Sequence, residues 1–375
     1  MSFYCGIDLG TTNSTLSVID IARRSDKPMQ KLKTIPIYQF DKDFNGINKS
    51  LTSLPSYLFF DVDKNRVYTG EYAKDIYVHG DRPLQTVTAV KTRIGTDSVV
   101  EIPSIATDKK EQFDMTQCSA FLLKTIMDSF KAQHEGQEII NVVITVPAAF
   151  STDERVATVN AALLAGFREP KILDEPTATL LYYINGGDGI IREDSFIKDE
   201  SNILVYDLGG GTLDVCIAKV YLDDNGDVTI DIISRSPRED FGGNDFDQRL
   251  GAYILYDWEK ARASIETRSK EDQNAIISRI VSHAEAAKIE MSDFIWDNLD
   301  DPKRLQRRKK SFSFEVMAKM KADISLNKEI LDTIYLPLTE PHGRLLKPVK
   351  QCLGEANLDK DQIDQVILTG GMTKY

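Results

Sequence analysis

Cysteine and histidine are scarce, four of each in 375 residues. Cys5, Cys118, Cys216 and Cys352 are scattered with no C-x-x-C spacing, and His79, His134, His283 and His342 form no ligand pattern. This argues against a disulfide framework and against a Cys- or His-built metal centre. Three of the cysteines fall in apolar-patterned segments, so buried free thiols and a reducing, cytoplasmic setting are expected. No apolar run approaches the ~20 residues that span a bilayer. The opening stretch MSFYCGIDLG lacks the basic segment of a signal peptide and enters a strand at once. Basic residues are outnumbered, 46 against 58 acidic, and a net charge of −12 argues against general nucleic-acid binding. The local run Arg304, Arg307, Arg308, Lys309 and Lys310 reads as a solvated surface segment facing Asp297, Asp300 and Asp301. Neither a GxxxxGK[ST] loop nor a G-x-G-x-x-G fingerprint occurs, and no Ser-His-Asp or Cys-His arrangement suggests nucleophilic catalysis.

What is present is a repeat. Residues 6–19 read GIDLGTTNSTLSVI and residues 205–218 read VYDLGGGTLDVCIA. Each is an apolar strand-like run ending in Asp-Leu-Gly, then small or hydroxylated residues, then a second apolar run. A shorter echo, VILTGGMTKY, closes the sequence. Glycines at 209–211 let the chain turn sharply and approach another group closely. Successive amides in such a turn make a concave nest for phosphate oxygens, and Thr11, Thr12 and Thr212 add hydroxyl donors. Asp8 and Asp207 would repel phosphate unless a cation lay between, which implies Mg²⁺. Taken singly, each turn also fits an ordinary hairpin. The matched pair points to two related lobes offering phosphate-gripping turns to one cleft.

At 375 residues the chain is too long for one core, and 42% hydrophobic with 28% charged residues describes a globular protein of two or more domains. Residues 22–53 read as loops with an edge strand. The stripe at residues 118, 122, 126 and 130 predicts a helix capped by Asp114. A buried strand stops at Pro147, and Ser151 with Glu154 forms a capping box that opens a helix through about Leu164. The polar, Gly-rich stretch 185–201 reads as an inter-lobe loop. The second half repeats the order, with a long charged helical region over 245–323 and a returning strand from Ile363. Strands alternating with helices, with turns at the strands' carboxyl ends, indicate α/β lobes that bind ligand there.

DLGTTNS, ITVPAAF, DEPTAT, YDLGGGTLDV, FGGNDFD and the final LTGG, in this order, resemble the signatures of the heat-shock 70 kDa chaperones of DnaK type, over residues 3–375. The resemblance implies that family's ATPase domain, of actin-like and hexokinase-like fold: two duplicated lobes with mixed β-sheets flanked by helices, each carrying a smaller inserted subdomain. Its boundaries would be 1–184 for lobe I (subdomain about 39–112), 185–201 for the connection, and 202–375 for lobe II (subdomain about 241–323). It places Asp8, Glu175 and Asp207 around Mg²⁺ and its waters. Gly10, Thr11, Thr12, Asn13, Gly209, Gly210, Gly211 and Thr212 would hold the phosphates, with Gly242, Gly243, Gly370 and Gly371 beside them. Lys91 would reach the γ-phosphate and steady the attacking water. Asp214, with Asp8, Asp207 and Thr212, would hold K⁺. Pro147 and Arg155 match the interdomain switch.

Glu285, Lys288 and Ser292 match the family's nucleoside clamp, but Ile289 stands in place of an arginine whose stacking on adenine is worth about 1 kcal/mol. Weakened adenine binding is expected. Lys374 also replaces an arginine. The family's domain continues through helices that cross back to lobe I, and its peptide-binding domain follows. Ending at Tyr375, this chain is expected to leave apolar surface exposed on lobe I. Implied partners are ATP, a J-domain co-chaperone and a nucleotide exchange factor, with unfolded peptide engaged through the separate domain; no nucleic acid or membrane is expected. Two other readings stay open: a small-molecule kinase of the same superfamily, and a non-hydrolysing nucleotide sensor or filament protein.

Overall fold

Phe3, Cys5 and Ile7 alternate with Tyr4, Gly6 and Asp8, and the first strand buries the former set while the latter faces outward. The computed structural model describes residues 2–20, 32–41, 46–79, 85–103, 110–184, 200–224, 228–257, 263, 265–317, 320–339 and 343–375. The first half runs β1 (Ser2–Asp8), β2 (Asn13–Asp20), β3 (Lys33–Thr34), β4 (Ile37–Asp41), β5 (Gly46–Leu51), β6 (Leu54–Pro55), β7 (Leu58–Asp61), β8 (Arg66–Thr69), α1 (Glu71–His79) and β9 (Thr86–Val87). It continues with β10 (Val99–Pro103), β11 (Lys110–Asp114), α2 (Met115–Gln133), β12 (Glu138–Val146), α3 (Thr152–Leu164), β13 (Lys171–Asp174) and α4 (Glu175–Ile184). The second half comprises β14 (Glu200–Leu208), β15 (Leu213–Leu222), β16 (Val228–Arg235), α5 (Gly243–Asp257), α6 (Lys270–Trp296) and α7 (Pro302–Arg307). Then come β17 (Lys310–Met317), β18 (Met320–Leu326), α8 (Lys328–Thr339), α9 (Lys347–Ala356) and β19 (Gln365–Thr369).

The repeat in the sequence is a repeat in topology. One sheet has the order β13-β12-β1-β2-β3, the other β16-β15-β14-β19. In each, a central strand pairs antiparallel with the strand that follows it and parallel with a later one: β1 with β2 and β12, β14 with β15 and β19. Asp8 and Asp207 therefore end equivalent strands. One core, including Ile7, Leu16, Cys118, Leu122 and Ile144, lies under the first sheet; a second, including Leu213, Ile217, Phe246 and Tyr335, lies under the other. The amphipathic α4 crosses between them. Its Leu180, with Tyr183 and Ile184, packs on Ile203, Val205, Ala218 and Ile367 of the second sheet.

Local signals behave as their chemistry dictates. Asp114 and Gln117 close a capping box on α2, whose Cys118, Leu122, Ile126 and Phe130 are buried. Ser151 and Glu154 do the same for α3. All four thiols are buried and free, and burial pushes Cys5, Cys118 and Cys216 up to about 12. Two expectations need correction. The helical reading of 245–323 fails at its end, where β17 and β18 form a hairpin. Phe312 and Phe314 are buried between exposed Ser311 and Ser313, facing Ala322, Ile324 and Leu326, a period of two that the flanking charges obscure. The 22–53 region is also more ordered than loops: besides edge strand β3 it contains the β4–β5 hairpin. Of the expected inter-lobe loop, 185–199 lies outside the described residues.

Candidate functional site

The turn after β1 and the turn after β14 face each other across a cleft of about 1080 Å³. Their separation leaves no room for a side chain at Gly210 or Gly211. A Cβ on Gly210 would overlap Thr12 Oγ1 and lie 2.9 Å from Thr12 Cβ; one on Gly211 would lie 2.8 Å from Thr11 Cγ2. Glycine is required here by close approach, not by backbone angle. The first turn is braced by Ser56, whose amide donates to the Thr12 carbonyl at 2.8 Å and whose hydroxyl donates to the Gly10 carbonyl at 2.7 Å. In the second, the Gly209 amide donates to the Thr212 carbonyl at 3.0 Å. The start of α5 docks beneath it, the Gly243 and Asn244 amides donating to the carbonyls of Gly209 and Gly210 at 2.9 and 2.8 Å. Thr12 Oγ1 is buried without a hydrogen-bond partner among the described residues. A cradle that a methyl group would fill, containing an unmet hydroxyl, fits an incoming polyoxyanion.

The charges fit a cation beside it. Asp8, at the end of β1, accepts from Thr145 Oγ1 at 3.1 Å. Asp207 lies directly across the second hairpin from Asp214. Glu175 opens α4, and its carboxylate pairs with the buried Lys91 ammonium, which rides on a 3₁₀ turn, Val90–Arg93. Four carboxylates thus meet one ammonium. Burial works against the charge of Lys91, but Glu175, then Asp8 and Asp214, keep it above the usual lysine range. Burial, opposed by Lys91, pushes Glu175 and Asp214 up. Burial, then Glu175 and Asp214, brings Asp207 to about 7. Such an excess of oxygen donors suits a hard divalent ion. Among the described residues no group of three or more acidic, cysteine or histidine side chains stands close enough together to hold an ion directly.

A family model for the Hsp70 protein matches residues 4–375. The chain belongs to the Hsp70 family. It is similar to the chaperone protein DnaK of Thermosipho melanesiensis, at 32% identity over 99% of this chain and 53% of that protein. DnaK of Thermotoga neapolitana is 32% identical with the same coverage, and DnaK of Thermosipho africanus 31%. The chain spans about half the length of the curated relatives it matches. Membership gives the molecule the actin-like fold, whose duplicated sheets are those described above.

The cleft of the Hsp70 chain is also lined by Asn244, Asp247, Glu285, Lys288, Ile289, Gly371 and Met372. Lys288 and Asp247 form a buried ion pair at 2.7 Å, and Lys288 also donates to the Gly243 carbonyl at 3.1 Å. Burial pushes Asp247 up to about 6, against the pull of Lys288. Glu285 is bound at 2.9 Å by Lys74 of α1, roofing the cleft between α1 and α6, and Arg279 of α6 adds a 2.8 Å bond to the Val78 carbonyl. Ile289 is half exposed into the cleft. Lys374 leans 3.6 Å from Asp293 and is mostly solvated.

The cleft wall includes Asp8, Gly10, Thr11, Thr12, Asn13, Lys91, Glu175, Asp207, Gly209, Gly210, Thr212, Gly243, Glu285, Lys288, Gly370 and Gly371. Four anticipated residues sit behind that wall. Gly211 and Gly242 pack together, a Cβ on Gly242 falling 2.7 Å from the Gly211 nitrogen, and the Gly242 amide donates to Asp245 at 2.9 Å. Asp214 is buried under Thr212, and Ser292 is buried one turn beyond Lys288. Arg155 fastens the segment after Pro147, donating to the Phe150 and Ala148 carbonyls at 3.0 and 3.1 Å and pairing with Asp174 at 2.8 Å. Ser56, Lys74 and Asp247 were not anticipated. Asp247 stands within the quoted FGGNDFD run, so a signal existed; Ser56 and Lys74 have none locally. The cleft also runs over the outward face of the first sheet, past Tyr4, Leu181 and Tyr182, which are about half exposed.

Proposed function

We propose that this chain binds Mg-ATP between its lobes and hydrolyses it slowly, as the nucleotide-controlled module of a DnaK-like chaperone. The observation that carries the reading is the Lys91–Glu175 pair set at the mouth of two matched phosphate-sized turns. Phosphoryl transfer to water demands positioning and charge neutralisation more than covalent chemistry. Amides of Gly10–Asn13, Gly210 and Thr212, with the hydroxyls of Thr11, Thr12 and Thr212, bind the phosphates; Lys91 holds the γ-phosphate and the attacking water; Glu175 orients Lys91 and that water. Asp8, Glu175 and Asp207 would hold Mg²⁺ through its waters, and the ion, when bound, offsets charge on the phosphate oxygens. Asp8, Asp207, Asp214 and Thr212 are assigned to K⁺.

Glu285 and Lys288 receive the nucleoside, with Ile289 packing apolar surface on the base. Because the turns belong to different lobes, γ-phosphate contacts favour a closed angle that ADP holds less firmly. A J-domain co-chaperone and an exchange factor are the partners this cycle calls for. Unfolded clients would be engaged by another part of such a chaperone, in the cytoplasm; among the described residues no helix is long and apolar enough to cross a membrane. Single-turnover hydrolysis of radiolabelled ATP tests the reading, with Lys91→Ala as control. Phosphate released to water, and lost in the variant, supports it. Phosphate found on an added alcohol would make the protein a kinase, and binding with no Lys91-dependent release would make it a sensor.

A further inference from the structure

Lobe I supplies both Lys91 and Glu175, yet the residue beside each is gripped from lobe II, Thr92 by its carbonyl and Asp174 by its carboxylate. Arg238 lies between β16 and α5, in a stretch anchored to the second hairpin by the Leu213 amide donating to the Glu239 carbonyl at 3.1 Å. Its Nη2 donates at 2.9 Å to the carbonyl of Thr92, the residue after Lys91. Its Nη1 pairs with Glu154 in the first turn of α3, its Nε donates to Asp240 at 2.8 Å, and its guanidinium covers the Phe150 ring at 5.6 Å. The Lys91 turn also stands directly on α3. Gly95 has φ +73°, and a Cβ there would come within 2.7 Å of the Glu154 Cα. Arg235, ending β16, pairs at 3.1 Å with Asp174, the residue before Glu175.

We propose that Arg238 is a positioning residue for Lys91, making the ammonium's placement depend on how lobe II sits against lobe I. A four-residue turn entered through a left-handed alanine, Ala89 at φ 51°, is a weak platform for a buried charge. The rigid guanidinium fork meets a carbonyl on the turn and a carboxylate on the helix beneath it through two nitrogens fixed in one plane, an orientation that an ammonium on a flexible stem does not impose. Arg235 acts on Glu175 more weakly. Its side chain is 45% exposed, and exposed pairs contribute little, whereas Arg238 is 21% and Glu154 12% exposed. The proposal rests on the ATPase reading, and adds that lobe closure and the position of the reactive ammonium are one coordinate. Misplacing a positioned group by an ångström is enough to slow catalysis ~10²-fold.

The test combines single-turnover hydrolysis, Mg-ATP affinity and amide hydrogen exchange on the full chain. In Arg238→Ala, hydrolysis is expected to slow at least tenfold while affinity stays within threefold, and exchange in nucleotide-free protein to rise over residues 88–96 but not in β12. Arg238→Lys, keeping charge without the fork, is expected to remain at least fivefold slow, and Arg235→Ala to stay within threefold of the parent. Hydrolysis within twofold of the parent in Arg238→Ala, full recovery in Arg238→Lys, or exchange rising through both lobes with affinity falling in step would each overturn the proposal. If the parent itself releases no phosphate, the ATPase reading fails separately. The exchange pattern then decides alone: a rise confined to 88–96 supports positioning, and any other pattern refutes it.

Discussion

Replacing Gly210 by alanine drives one methyl group into the space between the lobes. The new Cβ would overlap Thr12 Oγ1 and stand 2.9 Å from Thr12 Cβ, closer than real Cβ contacts come. Overfilling a packed site typically costs ~1–3 kcal/mol. In a single core that penalty would lower stability. Here Gly210 belongs to the β14–β15 turn and Thr12 to the β1–β2 turn, so the relief available is opening of the cleft. The expected result is a ~5- to 150-fold loss of Mg-ATP affinity by calorimetry, with the nucleotide-free melting temperature changed by no more than about 2 °C. Thr12→Ala in the Gly210→Ala background removes the overlapping hydroxyl and should recover part of the affinity, a coupling that a double-mutant cycle measures. Affinity within twofold of the parent in Gly210→Ala, or no coupling to Thr12, would refute the facing of the two turns.

Lys91→Met removes the ammonium beneath four carboxylates. Breaking a buried pair in this way is destabilising by ~3–5 kcal/mol, and Glu175→Gln in the same background should restore most of the loss in a urea titration without restoring hydrolysis. Asp207 gives a pH dependence whose sign is fixed. Its folded-state value of about 7 lies above the unfolded one, so its contribution to the stability of the metal- and nucleotide-free protein is full below pH ~4 and lost as pH rises through about 7. Melts in chelator should fall across that window and Asp207→Asn should flatten the fall; calorimetry near pH 6.5 in buffers of different ionisation enthalpy should show proton release on Mg-ATP binding. Lys74→Ala removes the 2.9 Å bond to Glu285 between partly exposed groups, an interaction of ~0.5–1 kcal/mol. Stopped-flow release of labelled ADP should quicken about two- to fivefold, and unchanged release would show that the roof does not gate exit.

Much of the site was legible because its residues sit at strand ends and caps, where local chemistry is explicit. Asp8 and Asp207 terminate apolar runs, Ser151 and Glu154 announce a helix start, and the glycines at 209–211 forecast a turn without side chains. Contacts between lobes were not legible. Ser56 bracing Gly10, Lys74 reaching Glu285 and Arg238 reaching Thr92 join residues distant in sequence, each a single event with no period to detect. Gly242 shows the limit from the other side. It was assigned beside the phosphates, but its lack of a side chain serves packing on Gly211, and its amide is already used by Asp245. The β17–β18 hairpin was hidden differently: its period-two pattern is only a few residues long and lies inside a charge-rich stretch that reads as helix surface.

The charge balance of the cleft constrains the order in which it fills. Asp8, Glu175, Asp207 and Asp214 face one ammonium, and Asp207, raised first by burial, is raised further by Glu175 and Asp214. A triphosphate without its cation would add negative charge to a site already in excess, so either Asp207 takes up a proton or repulsion holds the turns apart. A cation alone would relieve the carboxylates but leave the Thr12 hydroxyl and the glycine cradle unused. Only the two together meet both needs, so affinity for ATP should depend steeply on Mg²⁺. The same reasoning explains why Lys91 must be held from both lobes. A lone ammonium among carboxylates is drawn toward whichever lies nearest, and in this structure that partner is Glu175, itself on the lobe-bridging α4. Moving the lobes therefore moves the partner, and Arg238 moves the turn with it.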